Sequence, residues 1–199
     1  MIEVWVATHN KGKLTEYQTL FEGRAVDLHS AIEIKAYTAP AENGKTFEEN
    51  ALIKAKSLAS VKNKVWVFAE DSGIEVEGLN NLPGIHSARY AGPHASDMEN
   101  RAKLLKMLQL RSPINRNARF FAVICLISPE KEILQFTGEL KGTIAKKESG
   151  TAGFGYDSIF IPAGQERTIA ELGLAYKNQS SHRFLAAEKM LQKLTELGL

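Results

Sequence analysis

Short apolar runs alternate with helical patterns along the first part of the chain. Residues 2–7 form a β-branched and aromatic run typical of a strand. Apolar positions then recur at helical spacing over residues 14–21, and the polar segment 8–13 lies between the two patterns. The order predicted here is strand, polar loop and helix.

The rest of the chain continues this mixture. The further elements expected from the pattern are strands at 25–28 and 32–35, a loop at 38–45, a helix at 47–62, a strand at 65–69, a short helix at 85–90, a helix at 98–110, strands at 120–128 and 132–141, and an amphipathic helix that opens near 181. Thr46 precedes Glu49 by three residues, the spacing of a capping box at the first of the later helices. The last two strands are joined by a short turn, as in an antiparallel hairpin. We therefore expect a mixed α/β fold and not a purely parallel doubly wound sheet.

Composition narrows the class of protein. The 199 residues include 25 Lys and Arg against 23 Asp and Glu, spread along the chain without blocks of one sign. This is the composition of a soluble globular protein, and we expect a single domain over residues 1–199. The balanced charge argues against duplex nucleic acid as the main partner. Cys125 is the single cysteine, which excludes a disulfide within the chain and fits a reducing compartment.

The sequence also predicts where the protein works. No apolar stretch reaches the roughly 18 residues that a membrane span needs. Residues 1–10 lack the basic region and long apolar region of a signal peptide. We therefore expect a cytoplasmic protein that binds neither nucleic acid nor a membrane.

A segment rich in hydrogen-bond donors lies between the first strand and the first helix. It consists of Thr8, His9, Asn10, Lys11, Gly12 and Lys13. A hydroxyl, an amide, two ammonium groups and backbone N–H groups at a helix N-terminus suit a phosphate group. The glycines and the final Lys-Ser or Lys-Thr of a Walker loop are missing, so an ordinary solvated turn explains the same residues.

Five acidic residues form the second candidate group. They are Glu42, Glu48, Glu49, Glu70 and Asp71. Hard oxygen ligands of this kind suit magnesium that is bridged to substrate phosphates. Helix capping and the helix dipole explain Glu48 and Glu49 equally well. Adjacent carboxylates at a partly buried strand end repel each other and require a cation or a proton-transfer role, which makes Asp71 the first candidate for function.

Two further segments carry possible ligand contacts. Residues 153–157 combine two glycines, which allow close backbone approach, with two aromatic rings that can stack on a flat base. A glycine kink with core aromatics explains that segment too. Lys177, His182 and Arg183 offer donors near the start of the last helix, where such residues are often simply solvated. No spacing typical of a zinc site or a Ser-His-Asp triad is present, which leaves metal and phosphate chemistry.

Taken together and in order, these segments resemble the inosine triphosphate pyrophosphatase (Ham1-like) family over nearly the whole chain. The motifs that carry the resemblance are THNKGKLTE, TFEENALIKA, AEDSGIEVEGLNNLPGIHSARYAG, GFGYDSIF, and TIAEL followed by Lys177 and SSHR. The resemblance implies a long curved mixed sheet flanked by helices, with two lobes, a central cleft and a homodimer. It also implies Mg²⁺-dependent hydrolysis of ITP, dITP and XTP to the monophosphate and pyrophosphate.

The resemblance assigns roles to individual residues. Asp71 becomes the base that deprotonates the attacking water, and Asp71 and Glu42 become Mg²⁺ ligands. The residues implied to contact the nucleoside triphosphate are Thr8, His9, Asn10, Lys11, Gly12, Lys13, Ser72, Phe154, Gly155, Tyr156, Asp157, Lys177, His182 and Arg183. Within this group, Asn10 and Lys13 are the strongest candidates for phosphate contact.

The chain departs from the family pattern at a few positions. Glu70 replaces a commoner Asp, Ser158 stands where Pro is frequent, Ser181 follows Ser180 instead of Ile, and Glu148-Ser149-Gly150 replaces Pro-Arg-Gly. The last departure predicts the loss of one positive contact on the phosphate side.

Two alternative functions are open. One is a related phosphatase of the Maf kind that acts on modified pyrimidine or methylated nucleotides, against which the FGYD and SHR motifs argue. The other is a nucleotide-sensing or nucleic-acid-binding module without turnover, whose expected basic stripe and aromatic platforms are missing.

Overall fold

The computed structural model describes residues 1–198, and the chain divides into two compact units. Unit 1 contains Met1–Asp71, Ala122–Gly138 and the residues from Leu185 onward. Unit 2 contains Ser72–Phe121 and Glu139–Phe184. The boundary at Asp71 and Ser72 falls inside one strand, so the residues on either side of it are covalent neighbours.

The strands form one mixed, open seven-stranded sheet. They are β1 (Ile2–Val6), β2 (Val26–Ser30), β3 (Trp66–Val76), β4 (Leu82–Pro83), β5 (Asn117–Ile127), β6 (Ile133–Ile144) and β7 (Phe160–Pro162). Their order is β2-β1-β3-β5-β6-β7, and β4 pairs with β3. β1 is parallel to β2 and β3, whereas the β3–β4 and β6–β7 pairs are antiparallel. The predicted mixed α/β class is confirmed.

Six α-helices accompany the described strands. They are α1 (Lys11–Phe21), α2 (Phe47–Val61), α3 (Asp97–Arg111), α4 (Ile169–Leu172), α5 (Leu174–Ser180) and α6 (His182–Glu196). The predicted capping box spacing before α2 corresponds to a real cap, because the Thr46 hydroxyl accepts a hydrogen bond from the Glu49 N–H at 3.2 Å. No helix within residues 1–198 combines the length and apolar character that a bilayer crossing requires.

Unit 1 has a core between its parallel strands and its helices. Val4 and Val6 of β1 are fully buried, and the Tyr17 ring of α1 meets the Phe68 ring of β3 edge-on at 5.0 Å between centroids. Unit 2 has its own apolar cluster, which includes Ile74, Leu104, Leu108, Phe120, Tyr156, Ile159 and Phe160. These cores fix the strands and helices from which the polar side chains of each unit project.

Two sequence predictions about local structure are wrong. Residues 32–35 are not a strand, because Ser30 and Glu33 form a capping box that turns the chain into the 3-10 helix Ala31–Glu33. The strand predicted at 65–69 does not end before Glu70, since β3 continues to Val76 and pairs there with Leu82 of β4. The adjacent carboxylates therefore lie in the middle of a strand. The short helix expected at 85–90 is the 3-10 helix Gly84–Arg89.

Candidate active site

The predicted phosphate loop is shorter than expected. Lys11, Gly12 and Lys13 form the first turn of α1, and Asn10 is the N-cap residue. The Asn10 side-chain oxygen accepts a hydrogen bond from the Lys13 N–H at 3.0 Å, and the Thr8 hydroxyl accepts one from the Asn10 N–H at 3.2 Å. The lysines thus lie at the positive end of the helix dipole, an arrangement that favours an anion.

His9 lies apart from those contacts. Its ring is exposed and stacks on Tyr37, with 5.8 Å between ring centroids and 3° between planes. The His9 side chain therefore packs on the loop that follows β2, which contains Tyr37. Sequence reasoning did not foresee this stack.

Glu70 on β3 is directed to α1. Its Oε2 accepts a hydrogen bond from the Tyr17 hydroxyl at 2.6 Å, and its Oε1 lies 3.2 Å from the Lys13 ammonium. Lys13 and Tyr17 are one helical turn apart, so both face the strand from the same side of α1. Glu70 therefore links the phosphate-binding candidate Lys13 to the sheet.

Asp71 contacts a different helix, because successive strand residues point to opposite faces of a sheet. The ammonium of Lys54 on α2 lies 2.7 Å from Asp71 Oδ1 and 3.0 Å from Glu42 Oε1. Asn50, one turn before Lys54, donates a hydrogen bond to Asp71 Oδ2 at 3.3 Å. We call Glu42, Asn50, Lys54 and Asp71 the Asp71 cluster.

Sequence reasoning missed Asn50 and Lys54. The available signal was their spacing, since two polar residues four apart recur on one face of an otherwise apolar helix pattern. Their helix start was predicted correctly, but a single sequence does not tell which strand that face meets. The structure supplies the answer: both reach the carboxylate of Asp71.

The electrostatics of the Asp71 cluster follow from burial and from its charges. Burial raises the pKa of the Asp71 carboxyl above its usual value, although the charges of Lys54 and Lys13 act in the opposite direction. Burial acts to lower the pKa of Lys54, but the carboxylates of Asp71 and Glu42 outweigh it and the pKa is raised. The Lys54 ammonium is thus shared by two carboxylates.

The same cluster fits a magnesium ion. Within residues 1–198 no three His, Cys, Asp or Glu side chains are gathered as a closed metal site. Magnesium does not need one, because it keeps several waters and binds one or two carboxylates together with substrate phosphates. Glu42 and Asp71 converge on one cationic group in the structure, so they are close enough to share a cation.

Unit 2 contains a second buried lysine–aspartate pair. The Lys177 ammonium lies 2.5 Å from Asp157 Oδ2, and the same oxygen accepts a hydrogen bond from the Phe154 N–H at 2.9 Å. The Lys177 nitrogen also lies 4.0 Å from the centre of the Phe154 ring, within cation–π range. We call Phe154, Asp157 and Lys177 the Asp157 cluster.

A glycine is required beside this cluster. Gly153 has a φ of +82°, and a Cβ at that position would lie 2.1 Å from Asp157 Oδ2. A side chain there would displace the carboxylate that fixes the loop. The close approach of Asp157 thus explains why the first residue of the GFGYD motif, Gly153, is a glycine.

The remaining predicted site residues of unit 2 have distinct environments. Arg183 is buried, donates a hydrogen bond to the Ser72 hydroxyl at 3.1 Å, and has its guanidinium 5.8 Å from the Phe154 ring centre. His182 is buried and stacks on Phe120 at 4.7 Å between centroids. Arg183 and Ser72 therefore belong with the Asp157 cluster, whereas His182 lies against the core aromatics.

Tyr156 is a core residue by position. Its ring is buried, and its hydroxyl donates a hydrogen bond to the Ser87 carbonyl oxygen at 2.7 Å. Burial raises the pKa of this phenol. For Tyr156, the observed contacts are therefore those of a core aromatic residue, which was the alternative to stacking on a base.

Comparison with solved structures defines the class of protein. The chain superposes on a Ham1 protein from Coxiella burnetii with a TM-score of 0.89, at 37% identity, covering 98% of this chain and 100% of the other. For the Ham1 protein of Staphylococcus aureus the TM-score is 0.86, at 38% identity, with 98% of each chain covered. The fold is thus the α/β fold of the Ham1 proteins.

Sequence relatives agree with the structural comparison. A protein of Bdellovibrio bacteriovorus named dITP/XTP pyrophosphatase is 56% identical over 194 residues, which cover 97% of this chain and 98% of the relative. A Bacillus subtilis protein of the same name is 41% identical over 196 residues, 98% of each. The Ham1 family matches residues 4–193. This chain belongs to the Ham1 family, and the resemblance read from its motifs is confirmed.

Proposed function

We propose that this chain hydrolyses non-standard purine nucleoside triphosphates, namely ITP, dITP and XTP, between the α- and β-phosphates. The products are the nucleoside monophosphate and pyrophosphate. The enzyme class, nucleoside triphosphate pyrophosphatase, is that of its curated relatives from Bdellovibrio bacteriovorus and Bacillus subtilis. The observation in this chain that carries the proposal is the Asp71 carboxylate, held by Lys54 and Asn50 beside a second carboxylate.

Asp71 is proposed as the base. The hydrogen bond from Asn50 and the ion pair with Lys54 fix the orientation of its two oxygens. A fixed carboxylate can orient a water molecule and accept its proton as the water attacks phosphorus. The proton moves to a carboxylate oxygen, and the bond from the α-phosphorus to the bridging oxygen breaks to release pyrophosphate.

The cations of unit 1 are proposed to stabilise the phosphate charge. Lys13 lies at the N-terminus of α1, and Lys54 lies within the Asp71 cluster. Negative charge spreads over phosphate oxygens during the reaction, and fixed positive groups stabilise it. Glu42 and Asp71 would hold Mg²⁺, which when bound neutralises phosphate charge and polarises the reacting phosphorus.

The Asp157 cluster is proposed to bind the base. The Phe154 ring offers a face for stacking, and Arg183 offers donors beside it. Inosine and xanthosine carry an oxygen at position 6 that accepts a hydrogen bond, whereas adenosine carries an amine. A donor that faces the amine is left unsatisfied at a cost of about 1 to 3 kcal/mol. Sites built on several such bonds reject the wrong partner by ~10⁴.

A single assay tests this function. With Mg²⁺ present, the purified protein should release pyrophosphate from ITP, dITP and XTP, and a chelator should stop the release. The panel includes ATP, GTP and methylated and pyrimidine triphosphates, since preference for the latter two would favour the Maf-like alternative. Tight nucleotide binding without product under any divalent ion would support the sensing alternative and contradict the proposal.

The assembly and location are also proposals. We infer a homodimer, which the family resemblance implied, and a cytoplasmic protein, which the sequence features led us to expect. Light scattering during gel filtration tests the first, and cell fractionation tests the second.

A further inference from the structure

Side chains of α3 form hydrogen bonds with the backbone of the loop at residues 153–157. The Gly155 N–H donates a hydrogen bond to Asp97 Oδ2 at 2.7 Å, and the Gly155 carbonyl oxygen accepts one from Arg101 Nη1 at 2.8 Å. Asp97 and Arg101 are one turn apart on α3 and so lie on the same face of that helix. One helix thus binds both backbone groups of Gly155.

Arg101 is itself held in place. Its Nε donates to Glu148 Oε2 at 2.9 Å, while its Nη1 reaches Gly155. The Ser158 hydroxyl donates to the same Glu148 oxygen at 3.2 Å. The planar guanidinium can bind two acceptors in fixed directions, which an ammonium group on a flexible stem does less well.

Two departures from the family pattern meet in this network. Glu148 occupies part of the segment where Pro-Arg-Gly is usual, and Ser158 stands where Pro is frequent. In this chain their side chains contact each other, and Glu148 binds Arg101. Proline at position 158 would have no hydroxyl to donate. The two departures are therefore one linked feature of unit 2.

We propose that Asp97, Arg101, Glu148 and Ser158, which we call the Gly155 clamp, are positioning residues that hold Phe154 and Asp157 in the geometry that receives the base. The proposal rests on the proposed function, since the base is that of the nucleotide substrate.

The physical reason for such a clamp is the composition of the loop. Gly153 and Gly155 have φ values of +82° and +62°, and a chain with two glycines loses much conformational freedom when it is ordered. A loop that is ordered before binding does not incur that cost when the ligand arrives. The clamp acts on the backbone next to Phe154, the ring proposed to stack on the base, so it should affect binding more than the chemical step.

Kinetics of Arg101→Ala tests the clamp. The KM for ITP should rise about tenfold while kcat changes less than about threefold, because the lost interaction acts in the ground state and the transition state alike. The preference for ITP over ATP should fall, and Arg101→Lys should give an intermediate KM. Arg111→Ala, which removes an exposed arginine from the same helix, is the matched control and should behave as the wild type. An unchanged KM, or a loss confined to kcat, would overturn the proposal.

Amide hydrogen exchange separates the clamp from the proposed function. Exchange at the Gly155 N–H should be at least about tenfold faster in Arg101→Ala than in the wild type and Arg111→Ala. If the wild type hydrolysed no purine triphosphate, the proposed function would fail. The exchange rates would still test whether Arg101 orders the loop at Gly155. Equal rates in all three proteins would refute it whatever the activity.

Discussion

Two buried lysine–aspartate pairs, Lys54–Asp71 and Lys177–Asp157, differ in what surrounds them. In unit 1, the side chains of Lys54 and Asp71 are 11% and 9% exposed, and a second carboxylate, Glu42, shares the ammonium. In unit 2, the side chains of Lys177 and Asp157 are 2% and 4% exposed, and the carboxylate also holds the backbone of Phe154. In the first group one ammonium is shared by two carboxylates, and in the second the aspartate also holds the backbone of a folded loop.

The difference shows that similar buried ion pairs can have different roles in one protein. A buried pair contributes little net stability, because desolvation offsets the attraction, but removing one partner is costly. The Lys177–Asp157 pair therefore fixes the shape of the loop that carries Phe154. The Asp71 cluster instead keeps one carboxylate oriented and brings a second carboxylate to the same cationic group.

The largest expected effect is on turnover. Asp71→Asn keeps the size of the side chain but removes the carboxylate that accepts a proton, so pyrophosphate release from ITP should fall about 10³-fold. ITP binding, measured by calorimetry, should stay within about threefold of the wild type, since the phosphate and base contacts remain. Asp157→Asn is the comparison variant and should weaken ITP binding instead. A fully active Asp71→Asn protein would remove Asp71 from the role of base.

The next effect concerns stability and its response to magnesium. Lys177→Met removes the charge that compensates buried Asp157, and the free energy of unfolding should fall by about 3 kcal/mol. Lys54→Met should also destabilise the protein, because Glu42 and Asp71 then face each other without their shared ammonium. Urea unfolding with Mg²⁺ or with a chelator distinguishes the two variants.

Magnesium should restore stability to Lys54→Met, since a divalent ion can take the place of the missing charge between two carboxylates. It should leave Lys177→Met unchanged. Equal responses of the two variants would show that the Asp71 cluster has no special affinity for a cation, and the contrast between the two pairs would be lost.

The sequence revealed those parts of the site that are local in the chain. The start of α2 followed from Thr46 and Glu49, whereas α1 begins at Lys11, inside the segment predicted as a polar loop. Asp71 was selected because adjacent carboxylates at a partly buried strand end repel each other and require a cation or a proton-transfer role. These inferences needed only neighbours within a few residues.

Contacts between residues that are distant in the chain could not be predicted from the sequence. The pairing of Lys54 with Asp71 depends on which face of α2 meets β3, and 17 residues separate the two. Arg101 and Gly155 are 54 residues apart, so no spacing rule connects them. The departure at Glu148 was interpreted as a lost positive contact, whereas the structure gives Glu148 a partner of its own in Arg101.

The smallest expected effect concerns Glu70, whose carboxylate also has a lysine partner, Lys13. Tyr17→Phe removes the hydroxyl that donates to Glu70 Oε2, and the free energy of unfolding should fall by about 1 kcal/mol. Because Glu70 also holds Lys13, the KM for ITP should rise by about threefold with little change in kcat. Phe21, whose ring also lies near Tyr17, supplies a control: Phe21→Leu alters the same packing without touching Glu70 and should lower stability alone. If both variants changed KM equally, Glu70 would be a packing residue of unit 1, and the contrast between reactive and structural pairs would rest on the Asp71 cluster alone.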